Sequence, residues 1–589
     1  MSTNTDERQT LLATVNQNDV VREYGTASSS GTSTPSLPKP SDINHPSRTD
    51  LLWVLTGLWS AVFLGALDTT IVATLLSPIG SYFQKSHQAS YLGTSYLLSV
   101  CCFTPLYGRL SDILGRKGAM LLALSLFGIG TLLCGLARSM EFLIFARAVA
   151  GMGGGGVMTG QHYRTSLWDE PVLTTRKNGD YIKALLICTS RNLNFDHFKP
   201  NPVPFSLFGL GAGIGGPLGG WINDTIGWRA AFLIQIPILV LSAIVIILKV
   251  NIKLPDSKQT TRQKLARIDY AGSFTLVVSV GSLLLGLSLK TSEDLPWNSG
   301  LVIGLLCASG VFVIAFVYAE ARWAPEPVMP LRLLAQRTPS AVALSNFLTS
   351  AVAFSMLYNV PLYFSAVRLK SAADSGLHLL PNAIAVSSGS VFAGWMMRKT
   401  GKLYYLTLAS AFSMVVSSAL ISTWNDNTSE YHLWGDIVFG GFGGSALITS
   451  TLIALIASVE KKDYAVATGI SYLFRTTGQV LGVSLSGALV QAILVSSLRK
   501  GITGPGSEEI IQRIRHSTAI IATLEEPLRE VAIQSYQKAL KSVFIGQAVL
   551  SFFTYLCCLP IEENPLPGSH EEQEQQERRR REQNNGNSP

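Results

Sequence analysis

The sequence predicts an all-α polytopic membrane protein, and three observations carry that reading. Only 14% of the 589 residues are charged and 47% are hydrophobic, whereas a soluble domain carries about 25% charge. The apolar residues gather into runs of about 20, each long enough to cross a hydrocarbon core of about 30 Å. The basic residues behind the net charge of +8 sit mainly between those runs, where they act as orientation signals and not as a nucleic-acid stripe. A large water-soluble enzyme is thereby excluded, and no segment brings a nucleophile, a base and an orienting group together.

Residues 1–50 hold Ser, Thr, Asn, Asp and Pro without an apolar run. They cannot offset the entropy of ordering and read as a disordered cytosolic tail. Within it, Glu7 followed by Leu11 and Leu12 resembles the acidic dileucine signals that cytosolic adaptors read. Fourteen apolar runs follow, near 53–76, 90–107, 118–138, 142–160, 205–222, 229–248, 269–289, 299–318, 341–363, 376–397, 403–423, 434–457, 465–490 and 543–561. An even number puts both tails on one side. Loops after even-numbered runs carry Arg109, Arg116, Lys117, Lys253, Lys258, Arg262, Lys264, Arg332, Arg337, Arg398 and Lys399, and the other loops are poorer. The positive-inside rule then makes both termini cytosolic. Asn427, in the sequon Asn427-Thr428-Ser429, falls on the far side as a glycosylation candidate. Residues 498–541 read as a long amphipathic far-side loop and 562–589 as a cytosolic tail whose arginine run is solvated. Seven cysteines without C-x-x-C spacing and scattered histidines indicate neither a disulfide framework nor a metal site.

Ionisable residues inside the runs carry the chemistry. Asp68 lies near the middle of the first, where a charge costs at least ~2.5 kcal/mol unless it faces a cavity or a partner. Burial favours its neutral form, which suits a proton carrier; a hydrogen bond to another helix through Thr69 or Thr70 is the structural alternative. Arg147 is a permanent cation in the fourth run. Arg475 is a third intramembrane charge, close enough to its run's cytosolic end to snorkel. Between runs two and three, Gly108, Asp112, Gly115, Arg116 and Lys117 form a short glycine-bounded loop in which an aspartate among cations can make a contact that breaks and re-forms. Gly213, Gly215, Gly216, Gly219 and Gly220, with Pro217, leave the fifth run almost without side-chain bulk, which allows close helix approach.

These strings resemble one family. Gly108-Arg109-Leu110-Ser111-Asp112-Ile113-Leu114-Gly115-Arg116-Lys117 is similar to the signature between spans two and three of the major facilitator superfamily. Leu64-Gly65-Ala66-Leu67-Asp68-Thr69-Thr70 resembles the first-span motif of its fourteen-span drug:proton antiporter branch, and Phe145-Ala146-Arg147-Ala148 the fourth-span motif. Gly215-Gly216-Pro217-Leu218-Gly219-Gly220 is similar to the fifth-span antiporter motif, with the proline one place late. With Tyr472-Leu473-Phe474-Arg475, the same string looks most like the fungal vacuolar basic amino acid transporters.

The resemblance implies a six-helix bundle over 51–250, two extra helices within a linker over 251–335, and a second six-helix bundle over 336–561. It implies a proton-coupled antiporter of small cationic substrates, with Asp68, Arg147 and Arg475 in coupling, the vacuolar membrane favoured over the plasma membrane, and the proton gradient in place of a cofactor. Gly153-Gly154-Gly155-Gly156 lacks the following Gly-Lys-Ser/Thr of a phosphate loop, so no nucleotide site is expected. A plasma-membrane multidrug exporter and a non-transporting nutrient receptor are the alternatives. Residues 161–204, dense in charge where such a family has a short basic loop, read as an insert from a retained intron or frame slip, with a genuine cytosolic insertion as the alternative.

Overall fold

The computed structural model describes residues 48–160, 203–249, 270–291, 295–322, 329, 331–460 and 463–564. Glu7, Leu11 and Leu12, nearly all of the 161–204 insert and most of the 562–589 tail lie outside the described residues. Every regular element described is helical. In hydrocarbon a backbone amide finds no water, and a helix satisfies its own donors and acceptors.

The first half comprises α1 (Arg48–Tyr82), α2 (Ser90–Leu136), α3 (Met140–Gly160), α4 (Val203–Thr225), α5 (Trp228–Leu233) and α6 (Gln235–Lys249). A hairpin, α7 (Tyr270–Thr291) and α8 (Gly300–Arg322), follows. The second half comprises α9 (Leu331–Leu334), α10 (Arg337–Ala366), α11 (Ala372–Leu377), α12 (Leu380–Thr400), α13 (Tyr404–Ser422), α14 (Glu430–Ser458), α15 (Tyr464–Gly501), α16 (Ser507–His516) and α17 (Leu528–Cys558). All fourteen apolar runs fall on helices. Among the described residues, nine helical stretches are long and apolar enough to cross a membrane, so the count of fourteen spans goes beyond what length and apolarity give.

Two boundaries differ from the sequence reading. The expected loop over 108–117 narrows to a kink: α2 is two helical segments that meet at Gly115, whose φ of 77° is non-helical. One glycine in that region turns the chain where a side chain would be strained. The expected loop over 498–541 holds the end of α15, all of α16, a 3-10 turn at Thr518–Thr523 and the start of α17. Low mean hydropathy hid these helices, which are amphipathic and bury Ile511, Ile514, Tyr536 and Leu540 against the second half.

The first half packs Leu67, Ile71, Leu75, Trp228 and Phe232 into one core, and the second packs Tyr363, Phe364, Trp424 and Phe544 into another. Hydroxyl and amide pairs add to the second: Asn346 donates to Ser471 at 3.0 Å and Asn359 to Ser486 at 2.9 Å, the polar contacts that hold helices together where apolar burial gives no preference for protein over lipid. The hairpin packs chiefly on itself, with exposed Phe274, Leu301, Val311 and Ile314, the composition of a lipid-facing pair.

Candidate functional site

Asp68 and Arg147, 79 positions apart, meet in the interior of the first half with no exposure to solvent at either side chain. The buried face of α1, with Leu64, Leu67, Ile71 and Leu75, turns Asp68 inward. Arg147 Nη1 donates to both carboxylate oxygens, at 3.1 Å to Oδ1 and 2.8 Å to Oδ2. Its Nε donates to the Leu92 carbonyl at 3.3 Å, and the guanidinium lies 4.3 Å from the centre of the Tyr96 ring. A charge-assisted pair, a carbonyl and an aromatic face together make a buried cation tolerable. The threonines beside Asp68 do not bridge helices: Thr69 and Thr70 donate to carbonyls of their own helix. The glycine run of α3 serves close packing, since a methyl on Gly155 would sit 3.1 Å from Thr104 Oγ1 and one on Gly151 2.9 Å from Ser99 Cβ.

The other residues singled out from sequence lie apart from this pair. Arg475 is half-buried on α15 with its guanidinium 5.8 Å from the Tyr472 ring centre. Lys117 donates to the Ile247 carbonyl at 2.7 Å, tying α2 to the end of α6. The side chains of Asp112 and Arg116, and the surroundings of Gly108, lie outside the description. On α4, Gly215 and Gly219 face Thr70, Ile71 and Thr74 of α1, while Gly213, Gly216 and Gly220 face Ala383, Gly376 and Ala372 of the second half. A methyl on Gly216 would stand 3.0 Å from the Gly376 carbonyl oxygen. Pro217 sits inside the helix. Asn427 is exposed in the turn between α13 and α14, its backbone N–H donating to Asn425 Oδ1 at 2.9 Å.

Next to the glycine face the two halves meet along a polar seam. Ser77 of α1 pairs with Ser365 of α10 at 2.7 Å and with Thr518 at 2.5 Å, and Ser81 pairs with Thr518 at 3.1 Å. The Ala373 amide donates to Asp224 Oδ2 at 3.1 Å. His87, in the turn between α1 and α2, stacks on His516 of α16 with ring centres 4.8 Å apart. Burial, then the charges of Arg515, His516 and Lys85, push His87 down to about 4. Burial, with Arg515 and Lys85, also lowers His516. A cavity of about 40 Å³ lies inside the seam, lined by Thr74, Ser77, Tyr358, Ser365 and Ser375 among others. Sequence reasoning missed Tyr96, Tyr358 and the histidine pair, because no motif marks an aromatic in an apolar run or joins residues 429 positions apart.

A helical membrane protein in two halves, joined by a breakable polar seam and holding a sealed charge pair beside it, has the build of a secondary transporter. The family profile described as Major Facilitator Superfamily matches residues 58–169 and 205–482. The chain belongs to that superfamily, whose members are transporters and not enzymes, and it is a multi-pass membrane protein. It is 36% identical over 514 residues to the multidrug resistance protein fnx1 of Schizosaccharomyces pombe, covering 87% of this chain and 92% of the relative. It is 31% identical over 463 residues to vacuolar basic amino acid transporter 1 of Saccharomyces cerevisiae, covering 74% and 76%. A crystal structure of an autoinhibited POT family peptide transporter shares the fold, with TM-score 0.53 at 16% identity over 87% of this chain and 96% of that one.

Proposed function

We propose that the chain is a proton-coupled antiporter that carries basic amino acids into the vacuole, with both termini cytosolic. The buried Asp68–Arg147 pair carries the coupling: it is a carboxylate with no exposure to solvent, whose partner cation is permanent. A proton reaching Asp68 from the acidic lumen removes the charge that Arg147 holds, the pair loosens and a bound cation is released. Loss of that proton to the cytosol restores a negative site for the next cation. The similarity to a vacuolar basic amino acid transporter supports lysine, arginine and histidine as substrates and the vacuole as the address. The similarity to a multidrug resistance protein favours a second reading, export of cationic drugs by the same coupling.

Labelled arginine uptake into ATP-energised vacuolar vesicles tests the proposal, comparing cells with the gene, without it, and with Asp68→Asn. Uptake is expected to require the gene, to collapse with a protonophore and to be lost in the variant. Equal uptake in all three would remove the amino acid assignment, gene-dependent uptake that survives Asp68→Asn would remove Asp68 from the coupling, and a gene-dependent growth response without uptake that survives it would point to a receptor that does not transport.

A further inference from the structure

The ion pair leaves part of its hydrogen-bonding capacity unused. Arg147 places Nη1 on Asp68 and Nε on the Leu92 carbonyl, while Nη2 is buried with no hydrogen-bond partner among the described residues. The Cys134 thiol adjoins the guanidinium, but sulfur is only a weak acceptor. A second buried donor in the same condition, a hydroxyl, comes from the other half: Tyr358 is 4% exposed and its Oη has no partner among the described residues. Both groups sit against the same turn of α2. Leu92 holds Arg147, and a methyl on the next residue, Gly93, would come within 2.6 Å of the Tyr358 hydroxyl. Asp68 and Arg147 both act electrostatically on that hydroxyl, and Tyr358 also borders the seam cavity. Buried donors without acceptors are rare in folded proteins because their desolvation goes uncompensated. Two of them, one from each half and both against the Leu92-Gly93 turn, suit an acceptor-only ligand.

We propose that Arg147 Nη2 and the Tyr358 hydroxyl form a subsite for the α-carboxylate of an amino acid. The inference rests on the amino acid reading above and deepens it: the carrier recognises the zwitterionic head of its substrate as well as its cationic side chain. A carboxylate accepts through two oxygens, one for the guanidinium and one for the phenol, and both bonds are charge-assisted. Nη1 remains on Asp68, whose free lone pairs face the α-ammonium. Because Tyr358 belongs to the second half and Arg147 to the first, the bound head draws the two halves together; Tyr358 borders the seam cavity of about 40 Å³ and Arg147 does not, so the head reaches the guanidinium only once the halves part.

The full chain in proteoliposomes tests this with labelled arginine and its decarboxylated analogue agmatine, which keeps the guanidine and lacks the carboxylate. Agmatine is expected to compete at least about tenfold more weakly than arginine. Tyr358→Phe, which keeps the ring against Gly93, is expected to raise the KM for arginine about tenfold with little change in kcat and no change in agmatine inhibition, the scale of one lost bond to a charged group. Equal competition by agmatine in the unaltered protein overturns the subsite while leaving cation transport standing. An unchanged KM in Tyr358→Phe overturns it too. Failure of the unaltered protein to take up arginine at all removes the subsite together with the amino acid reading.

Discussion

Asp68 and Arg147 are each tolerable in the interior of the first half because of the other. Removing one partner of a buried pair costs about 3–5 kcal/mol, since an uncompensated charge stays behind, whereas replacing both by apolar groups is often nearly neutral. Asp68→Asn is therefore expected to lower thermal stability strongly and Asp68→Leu/Arg147→Met to recover most of it, with transport absent from both. A double variant as unstable as the single one would mean that the cost lies elsewhere. Both residues were legible in the sequence because a charge inside an apolar run announces itself. Their pairing was not, since nothing in spacing says that positions 79 apart meet. Tyr96 and Tyr358 were invisible for the opposite reason: an aromatic in a span looks like packing until its ring is seen against the guanidinium, as at Tyr96, or its hydroxyl is seen without a partner among the described residues, as at Tyr358.

At the level of elements, the turn between α1 and α2 and the end of α16 close one end of the seam through the His87–His516 stack. The charged groups around it are Lys85, which pairs with Glu141 of α3, and Arg515, with Arg513 engaged by Glu509. His87 titrates at about 4 in the closed seam against an ordinary 6.5, so protons bind better once the seam has opened. Closure is thus fully stable above pH 6.5 and weakens as pH falls from 6.5 towards 4, by about tenfold at pH 5.5 for this histidine alone. Hydrogen exchange at residues 77–90 and 511–523, corrected for intrinsic rates, should rise on acidification in the unaltered chain and stay flat in His87→Gln/His516→Gln. The same acid response in both proteins would dismiss the histidines as the cause. The apolar runs had located the helices well, because hydropathy sees lipid-facing length. It does not see α16 or the first turns of α17, whose buried stripe faces protein and whose other face is charged.

At the scale of the molecule, two halves and a lipid-facing hairpin account for all the described helices, and the superfamily profile runs through most of them with one interruption, between 169 and 205. That break, 170–204, falls within the stretch 161–204 that the sequence marked as foreign, whose first nine residues the profile still matches. A chain lacking 161–204 is expected to reach the membrane and transport at least as well as the full chain, and transcript sequencing is expected to find messages without this stretch. An uninterrupted message as the sole transcript, together with loss of transport on deletion, would make the insert a native part of the carrier. The division into halves came from the family resemblance of the Gly108–Lys117, Asp68 and Arg147 strings, not from the apolar runs themselves. Which residues form the seam was not legible, because it is built from serines and threonines that recur throughout the spans.

Gly216 and Gly376 meet backbone to backbone, with no side chains to interlock. A surface of that kind behaves as a smooth bearing: one helix can move along the other without lifting over ridges, so little of the barrier to switching arises there. At this end the resistance then concentrates in the hydroxyl pairs and the ring stack of the seam, and its opening would be governed by a few latches more than by friction along the glycine face.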